Sequence, residues 1–349
     1  MPAQPMQALG ESCLEGEIVW PTTLVSFVVI AYNEASNIAR TLAAITELEA
    51  LGDYELVVVD DGSQDGTARI VSDLAVQNRC IRLIELDENR GRGYARNTGI
   101  AAARGGLIAM VDADIVLPAN WLVRTREALA DHDAVGGIAV PDGDVSYVYK
   151  RFGLVPRIVH ATTTVAGSNG LYRREVFDVA NFDPSLREGE DSALNHAMDR
   201  QGLSFATIPD LLVRHEESKT FGTSLRWLFD TGRGATRQLL AYREVRQPDI
   251  VTGSFVAAST LGALLAVRRH KIVGAVIPAG FVVAASIQHV RSRFETPKSH
   301  WPRVAPAVAA DSAMLTAYFV GRIIGLTALW RSDHTRSPTG RGTPSKAAR

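Results

Sequence analysis

The chain of 349 residues contains only two cysteines, Cys13 and Cys80. That is too few for a disulfide scaffold or a four-ligand structural zinc site, and as free thiols they suit a reducing compartment such as the cytosol. The opening MPAQPMQALGESCLEGE lacks the basic start and apolar core of a secretory signal. No G-x-x-x-x-G-K-[ST] occurs, which argues against a P-loop nucleotidase. Ser168 has no G-x-S-x-G around it, so a nucleophile elbow is not supported. The 29 glycines have no three-residue period, which excludes a collagen-like chain. Gly91-x-Gly93 looks like the start of a dinucleotide fingerprint, but position 96 is arginine and the segment does not follow the first strand.

What is present is a chain able to bury a sizeable core, with 46% apolar and 21% charged residues. The net charge of -1 hides an asymmetry. Residues 1–140 carry 20 acidic against 10 basic side chains, and residues 241–349 carry 5 against 15. A nucleic-acid reader would carry its basic patch on the folded domain, so no nucleic-acid partner is expected. An acidic head joined to a basic, apolar tail fits a soluble catalytic head with its tail on an anionic membrane; the alternative is a solvated basic tail.

The first 140 residues alternate strand and helix patterns. Strands are expected over 25–31, 55–59, 81–86 and 107–111, with helices over 34–50, 67–76 and 94–104. This alternation predicts right-handed βαβ units and a parallel sheet, with ligands at the carboxyl ends of the strands. Polar clusters at 32–34, 60–63 and 112–114 all fall at that edge. Further on, 167–170 reads as a loop, 191–200 as a helix, 203–208 as a strand and 219–242 as a helix. Residues 250–267 and 272–287 carry no charge, and a third apolar stretch, 304–330, is interrupted by Asp311 and Arg322. The first run, 250–267, is near the lower limit for crossing a bilayer, and the second, 272–287, is below it. The number of crossings stays open, and a re-entrant hairpin is the alternative. The polar tail from 331, rich in Gly, Pro and Ser, is expected to be disordered.

Three clusters carry chemistry. Asp112-Ala113-Asp114 ends a buried strand, and a turn there is needed to aim both carboxylates at one ligand. Hard oxygen donors suit Mg²⁺ or Mn²⁺ completed by substrate phosphates; a solvated turn is the bland alternative. In DDGSQDGT, Ser63, Asp65 and Thr67 are able helix caps, but Asp60-Asp61 needs a cation or donors to offset the repulsion between its acids. Tyr32-Asn33-Glu34 is either a helix cap or a contact for a nucleotide base and sugar.

Together these pieces resemble inverting glycosyltransferase family 2. The matching segments, in order, are VSFVVIAYNE (25–34), ELVVVDDGSQDGT (55–67), NRGRGYARNTGIAAARG (89–105), LIAMVDAD (107–114) and GEDSALNHAMDRQG (189–202). The resemblance covers about residues 25–242. It implies an α/β GT-A fold, a Rossmann-like and mostly parallel sheet with flanking helices, followed by an apolar helical membrane-associated region. The implied division is an extension to residue 22, a catalytic head over 23–245, hydrophobic helices over 246–330 and a tail from 331.

The resemblance also implies a site. Tyr32, Glu34 and Asp61 would hold the base and ribose of a UDP- or GDP-sugar, and Asp112 would face the ribose and metal. Asp114 would ligate Mg²⁺ or Mn²⁺, with His215 completing the metal or diphosphate shell. Asp191 would be the catalytic base, and Glu190 would touch the acceptor. Arg226-Trp227 is similar to an Arg-Trp pair of membrane-linked relatives, and Arg226 or Arg233 would face the diphosphate. Thr223 stands where those relatives carry glutamine, which speaks for non-processive transfer. The implied activity is inverting transfer to a lipid-linked or glycan acceptor, on the cytoplasmic face of the membrane, in cell-surface or exopolysaccharide synthesis. Two other readings are a nucleotidyltransferase of related fold, against which YNEASN after the first strand counts, and a catalytically silent nucleotide-sugar-binding partner.

Overall fold

The computed structural model describes residues 24–142, 155–156, 164–186, 189–216, 220–242, 245, 247–268, 270–295 and 301–335. Two compact units form: the first runs to Gly222 and takes in His289–Ala307, and the second comprises Thr223–Gln288 and the chain from Val308 onward.

The first unit opens with β1 (Val25–Ala31), whose seven side chains are all buried. Burial on both faces is what an uninterrupted apolar run requires of a central parallel strand. Helix α1 (Ile38–Thr46) buries Ile38, Thr41, Leu42 and Ile45, one stripe at helical spacing. β2 (Tyr54–Asp60), α2 (Thr67–Gln77), β3 (Ile81–Glu85), α3 (Arg92–Ala102) and β4 (Leu107–Asp112) continue the alternation. After them come β5 (Ile115–Val116), α4 (Trp121–Ala128), β6 (Ala134–Asp142), β7 (Val155–Pro156), β8 (Asn169–Arg173), α5 (Val176–Val179), α6 (Glu190–Arg200) and β9 (Phe205–Glu216).

The eight-stranded sheet has the order β3-β2-β1-β4-β8-β6-β9-β5. Its first four strands are parallel, while β8 runs antiparallel to both β4 and β6. Alternate residues of β1 feed two cores. Phe27 and Val29 pack with α1 and Trp121, while Val28 and Ile30 pack with Ala95, Tyr172, Phe182 and Leu194. The register sets Ala31 beside Asp60 and Ile30 beside Asp112, so the polar clusters after β1, β2 and β4 meet at one edge. α3 rests on β1 at Gly99, where an added Cβ would overlap Val28 Cγ1. Gly99→Ala is therefore expected to cost about 1–3 kcal/mol, read as a lowered Tm with the same secondary structure.

Two expectations change. The segment expected as a loop over 167–170 contributes Asn169 and Gly170 to β8, where Gly170 leaves room for Val165 and the Tyr172 ring. Cys80 is disulfide-bonded rather than a free thiol. The low cysteine count therefore carried no information about compartment; Cys13 lies outside the described residues.

The second unit is helical. It holds most of α7 (Phe221–Tyr242), α8 (Gln247–Val267), most of α9 (Lys271–Arg293) and, from Val308, α10 (Trp301–Thr335). The short β10 (Phe294–Glu295) pairs antiparallel with β7 in the first unit. Asp249–Val267, Lys271–Ser292 and Val304–Leu326 are each long and apolar enough to cross a membrane. Glycines allow close backbone approach within this unit: Gly321 lies against the Phe229 carbonyl, and Gly262 and Gly274 face each other. Phe255 stacks on Phe319 with centroids 4.6 Å apart. Of the two charges interrupting the third stretch, Arg322 is neutralised inside the unit, where it pairs with Asp249 and donates to Tyr318 Oη at 3.0 Å. Ile250, Leu261, Leu264, Ile272 and Val276 remain exposed, an apolar outer surface suited to lipid.

Candidate active site

The loops after β1 and β2 clasp each other through the DDGSQDGT segment. Ser63 Oγ accepts from the Asn33 N–H (2.8 Å), Thr67 Oγ1 from the Glu34 N–H (2.9 Å) and Asp65 Oδ2 from the Ala35 N–H (3.0 Å). Asp65 Oδ1 also accepts from the Thr67 N–H at 3.1 Å at the start of α2. The N-cap of α2 is Gly66, with no side-chain capping bond, so Ser63, Asp65 and Thr67, expected as caps, chiefly shape the neighbouring loop. Tyr32, at the tip of this edge, is 46% exposed and available to a ligand.

Donors answer the repulsion between Asp60 and Asp61. Asp61 accepts from the N–H groups of Arg90 (2.7 Å) and Gly91 (2.9 Å), at the positive N-terminal end of α3. Asp60 accepts from the Ser63 N–H at 3.0 Å. Asp61 is almost fully buried, so one of its tasks is to pin the loop that leads into α3.

The turn after β4 sends its two carboxylates to different partners. Thr41 donates to the Ala113 carbonyl (2.6 Å), and the Glu216 N–H donates to the Asp114 carbonyl (2.7 Å). The pairing of β5 with β9 sets Ile115 beside His215, and His215 Nε2 lies 2.9 Å from Asp114 Oδ2. Asp112 Oδ1 instead accepts from Arg96 Nη2 at 2.8 Å.

Arg96 was not anticipated. It lies on the buried stripe of α3 with Ala95, Gly99 and Ile100, is 1% exposed, and meets three carboxylates. Besides Asp112 these are Glu190 and, at 2.9 Å, Asp191. The available signal was a charged residue at a position where helical periodicity demands an apolar one. Asp191 is not a cap: the N-cap of α6 is Gly189, with φ 79°, and the Asp191 carboxylate turns to Arg96. Glu190 is 1% exposed, its carboxylate drawn into the same ion cluster. Arg226, Trp227 and Arg233 lie on α7 in the second unit. Arg226 and Trp227 are exposed there, and Arg233 approaches Asp230 at 3.5 Å.

Burial, with the crowding of acids added to it, governs the protonation of the site. Burial raises the Asp191 carboxyl to about 6; Arg96 opposes that rise, and Glu190 and Asp112 add to it. Burial also raises Asp112, against the pull of Arg96 and with the push of Asp114. Glu34 is pushed up to about 7, first by burial and then by Asp114, Asp112 and Asp65, while its bond from Asn37 works the other way. Among the described residues no cluster of three or more His, Cys, Asp and Glu side chains is arranged for a metal. The adjacent Asp114 and His215, 19% and 26% exposed, nonetheless fit a cation whose other ligands come from substrate phosphates and water.

Residues 26–179 match the family model described as Glycosyl transferase family 2. The chain is 30% identical over 332 residues to the succinoglycan biosynthesis protein ExoO of Rhizobium meliloti (strain 1021), across 82% of this chain and 92% of that protein. It is 28% identical over 224 residues to the glycosyltransferase AglE of Haloferax volcanii, across 60% of this chain and 72% of that protein. A solved structure, the mannosyltransferase PcManGT from Pyrobaculum calidifontis in complex with GDP-Man and Mn²⁺, aligns over 88% of this chain and 87% of its own with a TM-score of 0.56. At 22% sequence identity that likeness concerns the fold, a GT-A α/β domain followed by helices.

Proposed function

The chain belongs to glycosyltransferase family 2, and from that premise we propose that it transfers a sugar, with inversion, from a nucleotide-diphospho-sugar to a lipid-linked or glycan acceptor. That it is a sugar-transferring enzyme follows from the family. The observation that carries the finer reading is the convergence, at one sheet edge, of the Asp114–His215 pair with an Asp191 carboxylate held by Arg96.

In this reading Tyr32, Glu34 and Asp61 line the nucleotide end, and Asp112 stands between it and the sugar. Asp114 and His215 would hold Mg²⁺ or Mn²⁺, which supplies positive charge where the leaving diphosphate becomes negative. The acceptor hydroxyl attacks the anomeric carbon from the face opposite the diphosphate, and Asp191 takes its proton. One base and one displacement invert the anomeric configuration. Retention, by analogy with hydrolases, would need a second carboxylate acting as nucleophile. Glu190 borders the acceptor side.

A lipid-linked acceptor is supported by relatives such as an undecaprenyl-phosphate 4-deoxy-4-formamido-L-arabinose transferase of Enterobacter sp. (strain 638), 34% identical over 166 residues. Three apolar helices support membrane association, and the head is assigned to the cytoplasmic face, where a nucleotide sugar is supplied. Full-length protein is therefore expected to stay with membranes through a high-salt wash and to leave only in detergent. Release by salt alone would mean that the helices after 247 do not enter the bilayer. The activity is tested by incubating purified protein with a panel of UDP- and GDP-sugars with and without Mg²⁺ or Mn²⁺, and scoring nucleotide release. Cation-dependent release with one donor is expected; none with any donor would refute the reading.

A further inference from the structure

Arg96 joins parts of the chain that are far apart in sequence: α3, the end of β4 and the start of α6. Its Nη2 donates to Asp112 Oδ1 at 2.8 Å, and its Nη1 donates to both Glu190 and Asp191, the latter at 2.9 Å. The guanidinium lies over the Phe182 ring, 5.1 Å from its centroid. Opposite it, Gly167 has no room for a side chain: an added Cβ would overlap Asp191 Oδ1 and sit 2.9 Å from Arg96 Cζ. At 1% exposure Arg96 is closed off from substrate. A buried cation with three acidic partners is costly to assemble, because ions lose hydration that only well-placed hydrogen bonds restore. The planar guanidinium fork supplies those bonds at fixed angles, whereas a lysine ammonium cannot reach three carboxylates in the same geometry.

We propose that Arg96 is a positioning residue for sugar transfer: it fixes the Asp191 carboxylate at the mouth of the site, holds it ionised, and ties it mechanically to Asp112. This rests on the assignment of Asp191 as base. The groups acting on Asp191 are Arg96 from α3, Asp112 from β4, its neighbour Glu190, the Gly167 N–H before β8 and the Tyr172 hydroxyl of β8. Arg92 of α3 lies 3.9 Å from Glu190 and is more exposed, so Arg96 is the buried positive charge bonded to Asp191. Without that charge, three crowded acids would favour the protonated form of Asp191, in which it cannot accept a proton.

The test compares full-length wild type, Arg96→Gln, Arg96→Lys and Glu190→Gln by kcat, donor KM and the pH dependence of kcat. In Arg96→Gln, which removes the charge, kcat is expected to fall on the order of tenfold to a hundredfold with donor KM within about threefold, and the acid limb of the profile to move to higher pH. In Glu190→Gln one acidic neighbour is gone at nearly constant shape, so the acid limb should move to lower pH. Opposite displacements are what an electrostatic hold on the base requires, and a purely structural arginine would not produce them. An unmoved acid limb in Arg96→Gln would overturn the proposal, whatever its Tm. Should that variant fail to fold, Arg96→Lys decides: with the charge kept and the planar fork lost, a lowered kcat with the acid limb near wild type supports the proposal, and a wild-type kcat overturns it. Wild-type protein that transfers no sugar would instead refute the proposed activity itself.

Discussion

Asp191→Asn is expected to fold and bind nucleotide sugar as the wild type does, yet turn over more slowly by a factor on the order of 100 to 10,000. Asparagine keeps the shape and one hydrogen-bond acceptor for Arg96, while losing the ability to take a proton. If Asp191 served only to cap α6, asparagine would serve nearly as well. The structure removes that ambiguity, because Gly189 is the N-cap and the Asp191 carboxylate is bonded to Arg96. A pH dependence follows with a definite sign. A base with its pKa near 6 is ionised above that pH and protonated below it, so kcat should fall as pH drops through about 6. Asp191→Asn should abolish that limb in whatever activity remains. A variant with the wild-type rate and profile would show that Asp191 is not the base.

Asp114→Ala is expected to lose metal-dependent turnover altogether while Tm stays close to wild type. The carboxylate is only partly buried, and its side-chain partner is His215 at 2.9 Å. The backbone around it is held by other bonds, from Thr41 to the Ala113 carbonyl and from Glu216 to the Asp114 carbonyl. Loss of a cation facing the developing diphosphate charge should raise the barrier by several kcal/mol, roughly a thousandfold or more in rate. The parallel measurement is donor binding with and without Mg²⁺ or Mn²⁺, where the variant should show no cation effect. Wild-type turnover in Asp114→Ala, or full wild-type activity in excess chelator, would overturn the metal reading.

Much of the head was legible because its strands are β-branched runs that only a doubly covered parallel sheet can bury. The β1 range 25–31 read from the pattern VSFVVIA is the range observed, and the clusters after β1, β2 and β4 do share one edge. The mixed half of the sheet was less legible. Asn169-Gly170 carries turn chemistry, and nothing local reveals that Asn169 accepts from the Gly137 N–H at 2.7 Å across the sheet while Gly170 makes way for Tyr172. β6, with Gly136-Gly137 inside it, is hidden for the same reason. Arg96 escaped because its partners lie 16, 94 and 95 residues away. A helix stripe can show that a charge is buried, but the acids that balance it become visible only in three dimensions. The residue types of Asp61 and Glu190 were likewise evident in the sequence, while their bonds to the α3 entry and to Arg96 depend on the fold.

The most direct test of the account is the anomeric configuration of the product. Full-length protein in membranes or detergent, supplied with the active nucleotide sugar, a divalent cation and a lipid-linked or glycan acceptor, would yield product for NMR of the new glycosidic linkage. Asp191 acting as sole base in a single displacement predicts a linkage inverted relative to the donor. A retained linkage would contradict it, because retention demands a nucleophile that this arrangement does not assign.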